Sequence, residues 1–345
     1  MQPTGKKQNN VDIVAVAKAA RVSISTVSRS FNHPDLVRPQ TRKRIDAAVR
    51  KLGYIRNRAA QTMHGIRSGT IGLVVPTIDH AIFAEMIQAF SDAVDAQGFT
   101  ILVASHGYDL EREYAILRKF LEHRVDGVAL IGLDHSEETY NLIERHNVPA
   151  ISVWNYDATS RIPCVGADNR RAGRMAAQHL IDLGHRDIGL IFAPRGGNDR
   201  ARSRHDGADE TLRAAGLIIP DAWRIESPYS LHDAKVEVAA LLSRPNGPTA
   251  LLCGNDVLAV GAFYAAQAAG RAVPGDLSII GIGDFKGSRE MEPPLTTIRL
   301  PARRIGASAG QQLARMITGA DTDAAHHNYA IELRPGATCR AITGR

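Results

Sequence analysis

The chain has 345 residues, 44% hydrophobic and 23% charged, more than one ordinary core holds and suited to two or three globular domains. No apolar run approaches the roughly 20 residues that cross a bilayer, and the first thirty residues lack the continuous apolar core of a secretion signal, so a cytoplasmic protein without a membrane partner is expected. Cys164, Cys253 and Cys339 lie far apart without CxxC spacing, which argues against a disulfide framework or a zinc knuckle and predicts reduced packing residues. Residues 1 to 70 hold fourteen Lys/Arg against three Asp/Glu, while the whole chain is +6, so the rest carries a net −5. A cationic module on a mildly acidic body is the charge layout of a protein that brings one end to a phosphate backbone.

Periodicity argues that the basic end is folded rather than a loose tail. Asp12 can cap a helix from Ile13 to about Ala20, with Ile13, Val16, Ala17 and Ala20 on one face. Arg21 and Val22 make a turn. Ser23 is placed to cap a second helix, Ile24 to about Phe31, in which Val27 and Phe31 point inward and Ile24, Ser25, Thr26, Ser28 and Arg29 point outward. This is a helix-turn-helix layout, whose second helix sets its N-terminal residues against major-groove base edges. A third helix begins at Pro39, buries Ile45, Val49 and Leu52, ends at Gly53, and exposes Arg42, Lys43, Arg44, Arg50 and Lys51.

The string Val-Ala-Lys-Ala-Ala-Arg-Val-Ser-Ile-Ser-Thr-Val-Ser-Arg-Ser-Phe-Asn at 16 to 32, with Val37-Arg-Pro-Gln-Thr-Arg42 and Leu52-Gly-Tyr54, resembles the lactose-repressor (LacI/GalR) family. By that resemblance Ile24 and Ser25 stand where bases are read, Thr26, Ser28 and Arg29 lie beside them, and Ser23, Asn32, Arg42 and Tyr54 complete the expected DNA face. The hydroxyls can pair with several base edges, whereas Ile24 makes apolar contact, most usefully with a thymine methyl. Two positions depart from the family pattern: Arg21 replaces the turn glycine and Arg38 the small cap before Pro39. Asn57 to Gly65 resembles the family hinge, with Asn57 and Ala60 toward DNA and Met63 where a leucine usually wedges into the minor groove and kinks the duplex.

From Ile71 short apolar runs (71–75, 100–104, 125–131, 150–153, 188–192, 249–253, 278–282) alternate with helical stretches near 83–97, 109–123, 136–146, 169–183, 204–215, 233–242 and 256–269. Repeated βα units predict two doubly wound parallel sheets, which bind ligands beyond the carboxyl ends of their strands. The expected fold is therefore α/β. A three-helix domain spans 1–56 and a hinge helix 57–69. The effector-binding and dimerisation domain spans 70–345, with an N-subdomain of about 70–166 and 300–325 and a C-subdomain of about 167–298 and 326–345.

The resemblance extends over this body through Val125-Asp-Gly-Val, Gly184-His-Arg-Asp-Ile-Gly189, Cys253-Gly-Asn-Asp-Val257 and Pro294-Leu-Thr-Thr-Ile-Arg299, and it implies subdomains of the periplasmic-binding-protein type. Carried over by position, Arg204 is the cleft arginine, Asn255 the cleft asparagine, Asp284 a cleft carboxylate and Tyr229 a stacking aromatic, with Phe83, Trp154 and Ile82 on the opposite wall. Such a set suits a sugar: the guanidinium grips hydroxyls or a carboxylate, and the ring covers an apolar face. Where many relatives carry Gly-Phe-Asp-Asp, this chain has Gly281-Ile-Gly-Asp284, one carboxylate fewer, and Arg195, Arg200 and Arg202 lie close by in sequence. That opens the cleft to a sugar acid as well as a neutral sugar.

Enzymatic equipment is missing from the sequence. It contains no phosphate loop, nucleophile elbow or His-Glu-x-x-His pair, Gly281-Ile-Gly283 lacks the third glycine of a dinucleotide fingerprint, and His326-His327 stands in a polar connector without spaced partner ligands. No metal or cofactor is expected. The predicted function is a homodimeric transcriptional repressor on a palindromic double-stranded operator, its affinity changed by a small sugar or sugar-acid effector. The alternative, a periplasmic-type solute-binding protein without a regulatory role, does not account for the basic N-terminal module.

Overall fold

The computed structural model describes residues 11–56, 67–79, 81–320 and 325–342. It divides into two compact units, one ending at Ser68 and one beginning at Gly69. The expected hinge contacts Asn57, Ala60 and Met63 lie outside the described residues, as does the side chain of Ile82.

In the first unit, α1 (Ile13–Ala20) starts at Asp12, whose Oδ1 accepts from the Ala15 amide at 2.8 Å. Arg21 closes α1 with φ 54° and ψ 49°, so it adopts the left-handed conformation that a glycine would take without cost. The arginine makes the same turn at a penalty of about 1 kcal/mol. α2 (Ile24–Asn32) is capped by Ser23, whose Oγ accepts from the Thr26 amide at 3.2 Å. α3 (Pro39–Leu52) opens with a proline that has no amide to satisfy, which is why Arg38 can stand at the cap without a side-chain bond. It ends at Gly53, φ 64°. Val16, Ala17, Ala20, Val27, Ile45 and Ala48 form the core, with Phe31, Val49, Leu52 and Tyr54 packed half-buried around it.

The second unit contains two six-stranded sheets. The first runs, in spatial order, β11 (His327–Asn328), β5 (Cys164–Ala167), β4 (Ala150–Asn155), β3 (Gly127–Ile131), β1 (Thr70–Val75), β2 (Thr100–Ser105), with every neighbouring pair parallel. The second runs β12 (Glu332–Arg334), β10 (Thr296–Arg299), β9 (Ser278–Gly283), β8 (Ala250–Cys253), β6 (Ile188–Phe192), β7 (Arg224–Glu226), parallel except for β12. α4 (Ala81–Asp95), α5 (Leu110–Glu122), α6 (Glu137–His146) and α11 (Ala302–Thr318) belong with the first sheet, and α7 (Asn169–Asp182), α8 (Asp199–Ala214), α9 (Leu231–Leu242) and α10 (Asp256–Ala268) with the second. β1, β3, β4, β6, β8 and β9 are buried almost throughout, as the continuous apolar runs require of parallel strands covered on both faces.

The chain passes from the first sheet to the second after β5, returns after β10, and crosses back after β11. The last crossing corrects the expected boundary at 326: His327 and Asn328 pair with Val165 and Gly166 in the first sheet, so the C-subdomain resumes beyond Asn328. His326 is likewise no loose connector residue, since its Nδ1 accepts from the Cys164 amide at 3.3 Å and lies 3.2 Å from the Cys164 sulfur. All three cysteines are free thiols. Burial raises the pKa of each, and Cys339 reaches about 12.

Candidate DNA-binding face and effector cleft

The outward side of α2 carries the side chains expected to read DNA. Ile24 is 47% exposed, Ser23, Ser25 and Arg29 are exposed, and Thr26 and Ser28 are half-buried. Ser23 does more than cap: its hydroxyl lies 2.8 Å from both Ser25 Oγ and Thr26 Oγ1, so three hydroxyls form one small network at the helix start. Because each hydroxyl rotates to donate or accept, the network can present either polarity to a base edge. Asn32 is held from two sides, donating to Ser28 Oγ at 3.4 Å and accepting from Arg56. Arg56 also lies 5.5 Å from the centre of the Phe31 ring, and that ring lies 6.2 Å from Tyr54. Tyr54 therefore packs against α2 and helps to fix it. Arg42, Lys43 and Arg44 are exposed on α3.

In the second unit α8 begins five residues before the expected start, at Asp199, with Asn198 Oδ1 accepting from the Ala201 amide at 3.3 Å. Arg204 is thereby carried from a helix start into the second turn, where its side chain is fully buried. Its Nε donates to Asn169 Oδ1 at 2.7 Å and its Nη1 to the Gly254 carbonyl at 2.9 Å, while Nη2 is buried without a partner. Burial pushes the guanidinium pKa down from its usual value, because the charged form loses hydration that two neutral acceptors replace only in part. Asn255, next to Gly254, caps α10 by accepting from the Leu258 amide at 2.9 Å, and its buried Nδ2 has no partner.

Aromatic rings close around these groups. Phe83 on α4 meets Trp154 edge-on with centroids 5.5 Å apart, and both are about 1% exposed. The Arg200 guanidinium carbon lies 5.9 Å from the Phe83 ring and 6.0 Å from the Tyr108 ring. Tyr108 in turn lies 6.2 Å from Tyr229, whose hydroxyl accepts from Asn198 Nδ2 at 3.3 Å. Trp154 occupies the left-handed region at φ 88°, a strained setting for a bulky side chain. Its register partner on β5 is Gly166, where an added Cβ would fall 2.5 Å from the Trp154 carbonyl carbon. Only glycine leaves room for this kink at the carboxyl end of β4.

Of the seven expected cleft residues, Phe83, Trp154, Arg204, Tyr229 and Asn255 thus belong to a single buried cluster, while the Ile82 side chain lies outside the described residues. Asp284 does not join it. At φ 57° its carboxylate turns to Arg289, Arg299 and Arg334, at 3.1, 3.6 and 4.0 Å. On the other side of that turn, the space a side chain would need at Gly283 is filled by the Phe285 ring. The carboxylates that do reach the cluster were not singled out in the sequence. Asp199 accepts from the Arg200 amide and Nη1, the Leu133 amide and Asn155 Nδ2. Asp256, fully buried, accepts from Ser288 Oγ, Thr297 Oγ1 and the Phe285 amide, and burial raises its pKa against the pull of those bonds. Asn155 ends β4, and Asn169 and Asp256 stand two or three residues beyond the ends of β5 and β8, which is the signal that could have found them.

Comparison with known proteins agrees with this architecture. Residues 12–57 match the model for bacterial regulatory proteins of the lacI family, and residues 177–339 match a periplasmic binding protein-like domain. The chain is 30% identical over 314 residues to catabolite control protein A of Priestia megaterium, covering 91% of this chain and 95% of that one. It is 31% identical over 306 residues to the HTH-type transcriptional repressor PurR of Haemophilus influenzae, covering 89% and 91%. Among solved structures, the Lac repressor dimer bound to operator and the anti-inducer ONPF is similar with a TM-score of 0.83 at 26% identity, covering 96% of this chain and all of that one. The transcription regulator GntR of Chromobacterium violaceum follows with a TM-score of 0.73 at 30% identity, covering 78% and 98%. This chain belongs to the LacI family of DNA-binding transcriptional regulators.

Proposed function

We propose that this regulator is a cytoplasmic homodimeric repressor that binds a palindromic operator and changes its affinity when a small sugar or sugar acid enters the cleft between the two subdomains. The observation that carries the reading is the exposed start of α2, where Ile24, Ser25 and Thr26 are presented on a capped helix held by its own core. Ser23, Ser28, Arg29, Asn32 and Arg42 flank it, and Asn57, Ala60 and Met63 would follow into the minor groove. Two such helices meet half-sites about one helical turn apart only if two chains associate. Exposed Leu102 and Val103 on edge strand β2, and Leu231, Val236 and Tyr264 on α9 and α10, supply apolar surface for that association. No described helix is long and apolar enough to cross a membrane. Selection of bound sites from random duplexes, followed by affinity measurement on the winner over a salt series, tests the reading. A palindromic winner supports it, and sequence-blind, salt-sensitive binding overturns it.

A further inference from the structure

Two helix ends in the first unit carry arginines where the rest of the chain uses residues suited to the position. α3 and α11 close on left-handed glycines, Gly53 and Gly319, and α6 on Asn147, whereas α1 closes on Arg21 at φ 54°. Glycine takes that conformation freely and asparagine with little strain, but an arginine Cβ is crowded there. At helix starts, α1, α2 and α5 to α10 all follow an Asp, Ser or Asn whose side chain accepts from the first turn, whereas α3 follows Arg38, which makes no such bond. Each arginine leaves the unit less stable than the choice made at the other helix ends.

Neither side chain recovers that loss within the protein. Both are exposed, and among the described residues neither guanidinium has a hydrogen bond or an ion pair. Arg56, by contrast, donates to Asn32 and lies over the Phe31 ring. Strain kept without a compensating contact inside the chain marks a group whose partner lies outside it. The places of the two arginines point to the duplex. In a helix-turn-helix the first helix crosses the phosphate backbone while the second enters the groove N-terminus first, so the turn between them lies over the strand at the groove edge. Arg21 is in that turn, directly before Val22 and the Ser23 cap of α2. Arg38 stands one helical turn before Arg42, whose amide bonds the Arg38 carbonyl at 3.0 Å, so the two share a face of α3.

We propose that Arg21 and Arg38 are phosphate clamps, each setting a guanidinium on a backbone phosphate beside the groove that α2 enters, so that the regulator gains affinity for duplex DNA of any sequence while its N-terminal unit loses stability. This rests on the reading of the α2 start as the face turned to DNA. A guanidinium meets phosphate oxygens through two parallel N–H bonds and carries no base information, so the gain belongs to the sequence-independent part of binding. A glycine or a serine at these two positions forms no ion pair with a phosphate. The added attraction holds the protein on bulk DNA, along which it slides to its site.

The test is fluorescence anisotropy of the full chain on its selected operator and on a scrambled duplex of equal length, over a salt series, with thermal denaturation beside it. Wild type is compared with Arg21→Gly, Arg21→Gln, Arg38→Ser and the Arg21→Gly, Arg38→Ser double variant. Each single variant should bind both duplexes more weakly by the same factor. That deficit should shrink about threefold between about 50 and about 200 mM salt, because one phosphate contact fewer lowers the salt slope by about 0.9, and the double variant should lose about twice as much slope. Arg21→Gly and Arg38→Ser should melt no lower than wild type, since one relieves the left-handed turn and the other supplies a cap for the Thr41 amide. Arg21→Gln keeps the strain and drops the charge, so it should bind like Arg21→Gly and melt like wild type. Unchanged affinity for the scrambled duplex, or an unchanged salt slope, overturns the clamps. A loss on the operator alone overturns them too, by making the arginines base readers. Weaker binding with a lower Tm would make them supports of the fold, and an Arg21→Gln variant that binds like wild type would trace the Arg21→Gly loss to a loosened turn; either result overturns the proposal. If wild type selects no operator, the repressor reading falls while the scrambled duplex still decides the clamps.

Discussion

Asn169 accepts from Arg204 Nε at 2.7 Å through Oδ1 and donates through Nδ2 to Asn155 Oδ1, also at 2.7 Å. Asn155 donates on to Asp199, which holds Arg200, so one hydrogen-bonded chain links Arg204 to both subdomains. Arg204, Asn169 and Asp199 belong to the second sheet's subdomain, while Asn155 ends β4 of the first. A ligand that engages Arg204 therefore acts on groups that fasten the two subdomains together, which is the differential contact that coupling between two sites requires.

Replacing Asp199 by Asn should break this chain at its charged member. It would leave the buried Arg200 without a counter-ion and weaken the bonds to the Leu133 amide and Asn155. Loss of one partner of a buried pair costs about 3 to 5 kcal/mol. Urea denaturation should show a decrease of that order. A change below about 1 kcal/mol would mean that Arg200 swings out to water and that the chain is not a fastening.

Arg204→Ala should leave operator affinity within a few-fold of wild type and abolish the response to effector. Its bonds lie wholly within the second unit, and α2, α3 and their core belong to the first. Gel-shift titration with and without effector checks this. Loss of operator binding in the absence of effector would make Arg204 a support of the DNA-binding conformation rather than a sensor.

Ser28→Ala combined with Arg29→Ala should abolish specific binding and leave the melting temperature close to wild type, since neither side chain belongs to the core formed by Val16, Val27 and Ile45. Ser23→Ala acts differently. It removes the acceptor for the Thr26 amide and should cost about 1 kcal/mol of helix stability as well as base contacts. Fluorescence anisotropy on operator and scrambled duplexes separates the two effects, and unchanged operator affinity in the double variant sinks the recognition-helix assignment.

Much of this was legible in the sequence because local signals carried it. Asp12, Ser23 and Gly53 cap as their types suggest, and the apolar runs at 71–75, 125–131 and 188–192 hold buried central strands, the second of them beginning at Gly127. β7, β11 and β12, two or three residues each, are too short for periodicity to show, and β11 exists only because a distant strand, β5, offers it an edge. Within the cleft, Arg204 and Asn255 were carried by a recognisable pattern. Asp284 was misplaced because a left-handed φ at that residue, invisible in its side-chain chemistry, turns the carboxylate toward arginines on β10 and β12. The Asn155–Asn169 link had no sequence signal beyond position at two strand ends, since neutral amides are more often surface residues.

Two buried histidines give stability one source of pH dependence. His106 is buried, and burial lowers its pKa; Arg200 and His135 push the same way, while Glu113, 4.0 Å from Nε2, and a backbone bond at Asp109 oppose it. His185 is also lowered, chiefly by burial, although the Arg340 carbonyl at 3.2 Å pulls it back. The folded protein thus holds both rings neutral at a pH where the unfolded chain, with histidines near 6.5, has begun to take up protons. Their contribution is fully present above about pH 7 and is lost as pH falls through 6.5 toward the lower folded values, at no more than about 1.4 kcal/mol per pH unit for each ring. His106→Leu should flatten this loss between pH 7 and pH 5 in urea denaturation series, and at pH 7.5 it gives up only the weak contact of the ring with the Asp109 backbone, since neither ring nitrogen makes a hydrogen bond of ordinary geometry. An unchanged slope in that variant would show that His106 takes up a proton in the folded state as readily as in the unfolded one, with Glu113 as its counter-ion.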